Sequence, residues 1–114
     1  AVAARLDLAT ITMSRSNADD ALLSWRLAGL EVALTRPALP FLIQWDMAPE
    51  LHPGRIRAPH GIAPHGIAWV EVAGDQQEIA GWLGTSSLDI RAGTGDRGIR
   101  AVGIATDEGE VVIR

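Results

Sequence analysis

The stretch Ile67-Ala68-Trp69-Val70-Glu71-Val72-Ala73-Gly74-Asp75-Gln76-Gln77-Glu78-Ile79-Ala80-Gly81-Trp82-Leu83-Gly84 changes its period half-way along, and that change decides the fold. From Ile67 to Ala73 the side chains alternate, with Ile67, Trp69 and Glu71 opposite Ala68, Val70 and Val72. Period two with β-branched and aromatic residues predicts a strand. Asp75 then opens a capping box, in which its carboxylate accepts from the backbone N–H of Glu78 and Glu78 reaches back. Ile79, Trp82 and Leu83, three and four apart, form one apolar helix face, and Gly84 is suited to end the helix. Further strands are predicted at Leu88–Ala92, Gly98–Thr106 and Glu110–Arg114. Gly93-Thr94-Gly95-Asp96 reads as a hairpin turn, as does Asp107-Glu108-Gly109. Residues 66–114 therefore spell β-α-β-β-β.

Working back toward the N-terminus, the same pattern returns in part. Leu8 to Arg15 alternates, with Leu8, Thr10, Thr12 and Ser14 opposite Ala9, Ile11 and Met13. After the turn-forming cluster Ser16-Asn17-Ala18-Asp19-Asp20, Ala21 to Leu30 is predicted to pair back as a hairpin. There Leu23, Trp25 and Leu27 share one face, and Leu22, Ser24, Arg26 and Ala28 the other. Phe41 to Trp45 is a short apolar strand. Ala1 to Leu6 has no start signal and reads as the last turns of a helix already under way. Residues 1–46 are thus a helix end and three strands, a first module lacking its N-terminal part.

Between the halves, Asp46 to Pro64 holds four of the six prolines and two of the three histidines, and reads as a loop of about 47–65. It contains a direct repeat, Pro59-His60-Gly61-Ile62-Ala63 and then Pro64-His65-Gly66-Ile67-Ala68. Five residues are too few for a solenoid unit, so the repeat reads as a lengthened loop. The whole chain of 114 residues is a single α+β domain.

Composition removes several classes of function. Cys is absent, which excludes disulfides, thiolate metal sites and cysteine nucleophiles. All 10 basic residues are Arg, which excludes Schiff-base chemistry. A net charge of −4 carries no nucleic-acid footprint. No apolar run is long enough to span a bilayer, and no signal peptide opens the sequence. A cytoplasmic protein from a GC-rich bacterium is the expectation.

Met13-Ser14-Arg15 with Leu23-Ser24-Trp25-Arg26-Leu27 is similar to the Ser-Arg and Trp-Arg-Leu strand pair of bacterial glyoxalase-like domain proteins. Leu39-Pro40-Phe41-Leu42-Ile43-Gln44-Trp45-Asp46, with His52-Pro53 behind it, resembles their Pro-Phe…Trp…His-Pro segment. Gly109-Glu110-Val111-Val112-Ile113-Arg114 resembles their last strand. These proteins are grouped in the vicinal-oxygen-chelate superfamily, with glyoxalase I, extradiol dioxygenases and bleomycin-resistance proteins, and the chain resembles their C-terminal portion. The resemblance implies paired βαβββ modules forming a curved, mostly antiparallel sheet that cups a small organic metabolite. It also implies one divalent ion (Zn, Ni, Mn or Fe) held by His, Glu or Gln from the first and last strands of each module. Chemistry of that kind is metal-assisted isomerisation or proton transfer beside a carbonyl. The alternative is metal-free binding or sequestration, as in the bleomycin-resistance branch. Ala68 stands where a histidine is expected, with His65 three residues earlier, and Val112 or Ile113 stands where a carboxylate is expected.

The residues available for such a site follow from this alignment and from their chemistry. Gln44 fits one ligand position, and Asp46 and His52 add oxygen and imidazole donors to make the metal-ligand candidates. Arg15 and Arg26, on adjacent strands, would grip an anion together if they point the same way; pairing with Asp19, Asp20 or Glu31 is the competing account. Trp25 and Trp45, with Trp69, suit either an aromatic wall for a flat ligand or core packing. His60 and His65 are candidate bases or plain loop residues. The open strand edges of a partial module favour a homodimer.

Overall fold

The computed structural model describes residues 2–55 and 57–114. A short helix α1 (Val2–Arg5) leads into β1 (Thr10–Ser16) and β2 (Leu22–Ala28), followed by helix α2 (Leu30–Thr35) and β3 (Leu42–Trp45). Two 3₁₀ turns, Pro49–Leu51 and Pro53–Arg55, precede β4 (Pro64–Ala73), helix α3 (Gln76–Leu83), β5 (Asp89–Gly93), β6 (Gly98–Thr106) and β7 (Gly109–Ile113). The fold class is α+β, and residues 64–113 run β-α-β-β-β. The strands divide into two sheets, an antiparallel β1-β2-β3 and a mixed β5-β4-β6-β7.

Most elements form where side-chain alternation and capping place them. Asn17 closes the β1–β2 turn, its Oδ1 accepting from the backbone N–H of Asp19 and Ala21 at 2.9 Å each. Asp75 caps α3 by accepting from the Glu78 N–H at 2.8 Å.

Three features differ from the sequence reading. β2 stops at Ala28 because Gly29 turns into the left-handed region (φ 77°), and α2 starts there instead of a longer strand. The segment after β5 is not a hairpin: β5 lies parallel to β4 and β6 antiparallel to it, on opposite sides. Residues 94–97 therefore cross the end of β4 to reach its far edge. Finally, β4 starts at Pro64, ahead of the expected Ile67, so the whole second copy of the repeated pentapeptide is strand.

The core lies where α2, α3 and the 36–40 connection cover one face of the four-stranded sheet. Leu39, Val72 and Ile79 form its centre, with Val32, Val70, Trp82, Leu83 and Ile90 packed around them. Val70 faces Ile90 across the parallel pair, so the even positions of β4 point inward. Arg5 ties the N-terminal segment to this layer, donating to the carbonyls of Gly81 (2.9 Å) and Trp82 (2.7 Å) at the end of α3.

Candidate functional site

Cross-strand register fixes which side chains of the three-stranded sheet meet. Met13, Trp25 and Trp45 lie directly opposite one another across β1, β2 and β3. Thr12, Arg26 and Gln44 do the same one position along, on the other face. One face is therefore apolar and aromatic, with Ile11, Met13, Trp25, Leu27, Ile43 and Trp45. The other carries Thr10, Thr12, Ser14, Ser24, Arg26, Gln44 and Asp46.

On the aromatic face the rings of Trp25 and Trp45 sit 5.5 Å apart at 52°. The chain leaves β3, makes two proline-started turns and brings His52 edge-on to Trp45, 5.4 Å away at 70°. Both spacings are in the range of favourable aromatic pairs. The His52 ring is held by its own backbone, since the Gly54 N–H donates to Nδ1 at 2.9 Å. In the neutral imidazole the ring proton is then on Nε2. A cavity of about 340 Å³ opens beside this edge of the sheet, lined by Ile43, Gln44, Trp45, Met47, Pro49, His52 and Arg55. That volume suits a ligand of one or two rings.

On the polar face, Asp46 is engaged by Arg26. Arg26 Nε donates to Oδ2 at 2.7 Å and Nη2 to Oδ1 at 2.9 Å, a two-pronged pair. These hydrogen bonds hold the Asp46 carboxyl below its usual range, against an opposing effect of burial. A carboxylate with a lowered folded pKa contributes stability above its unfolded value and loses it as pH falls through the folded one. The pair is exposed, so the effect on stability is small. Arg26→Gln is expected to raise the Asp46 titration midpoint in carboxyl-carbon NMR; an unmoved midpoint would show that the pair does not form in solution.

The structure thus brings together some of the candidate residues and separates others. Trp25, Trp45 and His52 meet, and Arg15, opposite Leu23, shares their face. Arg26 points the other way, so Arg15 and Arg26 do not form one anion grip. Its partner is Asp46, not Asp19, Asp20 or Glu31. Gln44 lines the Trp45 cavity and also a second cavity of about 270 Å³ with Thr10, Arg26 and Leu42. The Gln44, Asp46 and His52 donor set does not fit a metal ion, because Asp46 has both oxygens on Arg26 and lies across the sheet from His52. Among the described residues, no group of three His, Cys, Asp or Glu side chains converges to hold one. His60 and His65 are exposed and line neither cavity. Trp69 belongs to the other sheet, where its N–H donates to Glu110 Oε1 at 2.9 Å and the Arg91 guanidinium lies 4.5 Å above its ring.

Arg55, Met47 and Pro49 are lining residues that sequence reasoning did not single out. The available signal was the four-residue spacing of Pro49 and Pro53, each suited to start a single turn and so fold the chain back on β3.

The profile of the glyoxalase-like domain family matches residues 1–88. The chain belongs to the glyoxalase-like domain family. The match takes in the three-stranded sheet, the Trp45 cavity, β4 and α3, and ends before β5, so the resemblance of residues 109–114 lies outside it. The glyoxalase-like assignment is consistent with the vicinal-oxygen-chelate superfamily and with a role toward small molecules. No curated protein and no solved structure matches the chain. No helix among the described residues is long and apolar enough to cross a membrane.

Proposed function

We propose that this glyoxalase-like domain binds a small, flat organic molecule against the Trp25–Trp45 wall, without a resident metal. The row of Trp25, Trp45 and His52, of which Trp45 and His52 line a cavity of about 340 Å³, carries this reading. A stacked ligand gains apolar burial and ring–ring contact there, and the register of β2 against β3 holds the rings in place before it arrives. Metal-assisted isomerisation or proton transfer would need donors converging on one face, whereas Asp46 and His52 lie on opposite ones. Exposure of Ile11, Met13 and Ile43 around the wall also agrees with a binding face.

A titration with 2-naphthol, followed by NMR at the indole N–H signals of the four tryptophans, tests the proposal. Trp25 and Trp45 are expected to shift while Trp69 and Trp82, whose N–H groups are bonded to Glu110 and Pro40, stay put. Trp45→Ala is expected to weaken binding by about tenfold or more, the loss of one aromatic contact and its burial. Shifts confined to Trp82, or none at any indole, would reject the site.

A further inference from the structure

The ligand class can be narrowed from the charge of the lining, given that the aromatic wall is the binding face as proposed above. We infer that the Trp45 cavity is selective for a flat aromatic carboxylate over its neutral counterpart. Among the described residues, no carboxylate lines this cavity. Its polar groups are the Gln44 amide, the His52 imidazole and the Arg55 guanidinium. Because the Gly54 N–H occupies His52 Nδ1, the group His52 offers a ligand in its neutral form is a donor, Nε2–H. Arg55 offers donors only.

Arg55 is the arginine that lines this cavity, and like several others it carries no acidic partner among the described residues. Arg26 pairs with Asp46, Arg36 with Glu78 and Arg91 with Asp89, while Arg55 makes no ion pair among the described residues. Asp46, which follows β3, is already taken up by Arg26. Arg55 is placed by the turn that places His52, since its backbone N–H donates to the His52 carbonyl at 2.8 Å. Arg55 and His52 thus belong to one turn, and both line the cavity together with Trp45. A ring stacked on Trp45 can present a carboxylate to these two donors. A charged hydrogen bond of this kind is stronger than a neutral one, and a planar guanidinium matches a carboxylate edge.

The experiment compares 2-naphthoate with 2-naphthol, which have the same rings and differ in charge, on the full chain at pH 7 in the NMR titration above. The expected result is that 2-naphthoate binds about tenfold or more tightly, shifting the same Trp25 and Trp45 signals. Arg55→Gln, an exposed substitution outside the core, is expected to bring the ratio of 2-naphthoate to 2-naphthol affinity down to about one. Equal affinity for the two probes, or a preference that survives Arg55→Gln, would overturn the carboxylate inference and leave the aromatic site standing. Binding of neither probe would overturn both.

Discussion

Replacing Gly103 with alanine is expected to destabilise the protein by about 3 kcal/mol, through a direct collision with Trp69. Trp69 on β4 lies opposite Gly103 on β6, and its indole lies flat over the glycine. A β-carbon at position 103 would stand 2.2 Å from Trp69 Nε1, 2.4 Å from Cε2 and 2.8 Å from Cδ1. The ring has little room to yield. It is 8% exposed, its N–H is bonded to Glu110, and the Arg91 guanidinium rests on its face. Moving it would break that hydrogen bond and open the β4–β6–β7 face, so the cost exceeds the usual expense of one extra methyl. For a chain of this size, such a loss lowers the thermal midpoint by about 10–20 °C. Denaturant unfolding measures it directly. Trp69→Phe in the Gly103→Ala background is expected to recover part of the loss, because the smaller ring leaves room for the methyl. A loss under about 0.5 kcal/mol, or no recovery in the double variant, would show that Trp69 does not cover Gly103.

Truncating Ile79 should be of similar size for the opposite reason, a void rather than a clash. Ile79 is 2% exposed and joins α3 to Val72 on the sheet and to Leu39 on the connection from α2. It also lines an apolar cleft of about 460 Å³ between these elements, so few neighbouring atoms stand ready to fill the space its side chain leaves. Ile79→Ala is expected to cost about 3 kcal/mol in denaturant unfolding, with the slope unchanged. Ile99, on β6 and 70% exposed, provides the control: Ile99→Ala should stay within about 0.5 kcal/mol. Equal effects at the two positions would mean that α3 is not docked on the sheet as described.

Neither residue of the Gly103–Trp69 contact announces itself in the sequence. Trp69 reads as one more strand tryptophan, and Gly103 as a glycine inside a strand. Only the antiparallel register of β4 and β6 sets one over the other. The candidate site behaves in the same way. Alternation along β2 already separates Trp25 from Arg26, since successive side chains leave a strand on opposite faces whatever it pairs with. Which groups those two meet depends on β3 being their neighbour and on its register. That register puts Trp45 beside Trp25 and Asp46 within reach of Arg26, whereas Arg15 is already sent to the other face by the β1–β2 register. His52 arrives through a proline-rich loop that has no period to read, so its contact with Trp45 is decided by the fold.

The sequence by itself therefore determined the α+β class, the order of strands around the capped helix α3, the two faces of β2 and the family. These are local properties: side-chain period, a carboxylate three residues from its N–H, a turn residue in place. The tertiary structure alone decided the placement of β5 beside β4, the division into two sheets, and the pairing of Arg26 with Asp46 rather than with an acid nearer in the chain. The repeated pentapeptide makes the distinction plain. Pro59–Ala63 lies outside the strands, and Pro64–Ala68, with the same five side chains, opens β4. Local preference is identical in the two copies. The second is extended because β6 pairs with it from Pro64 onward, a source of stability that no reading of five residues contains.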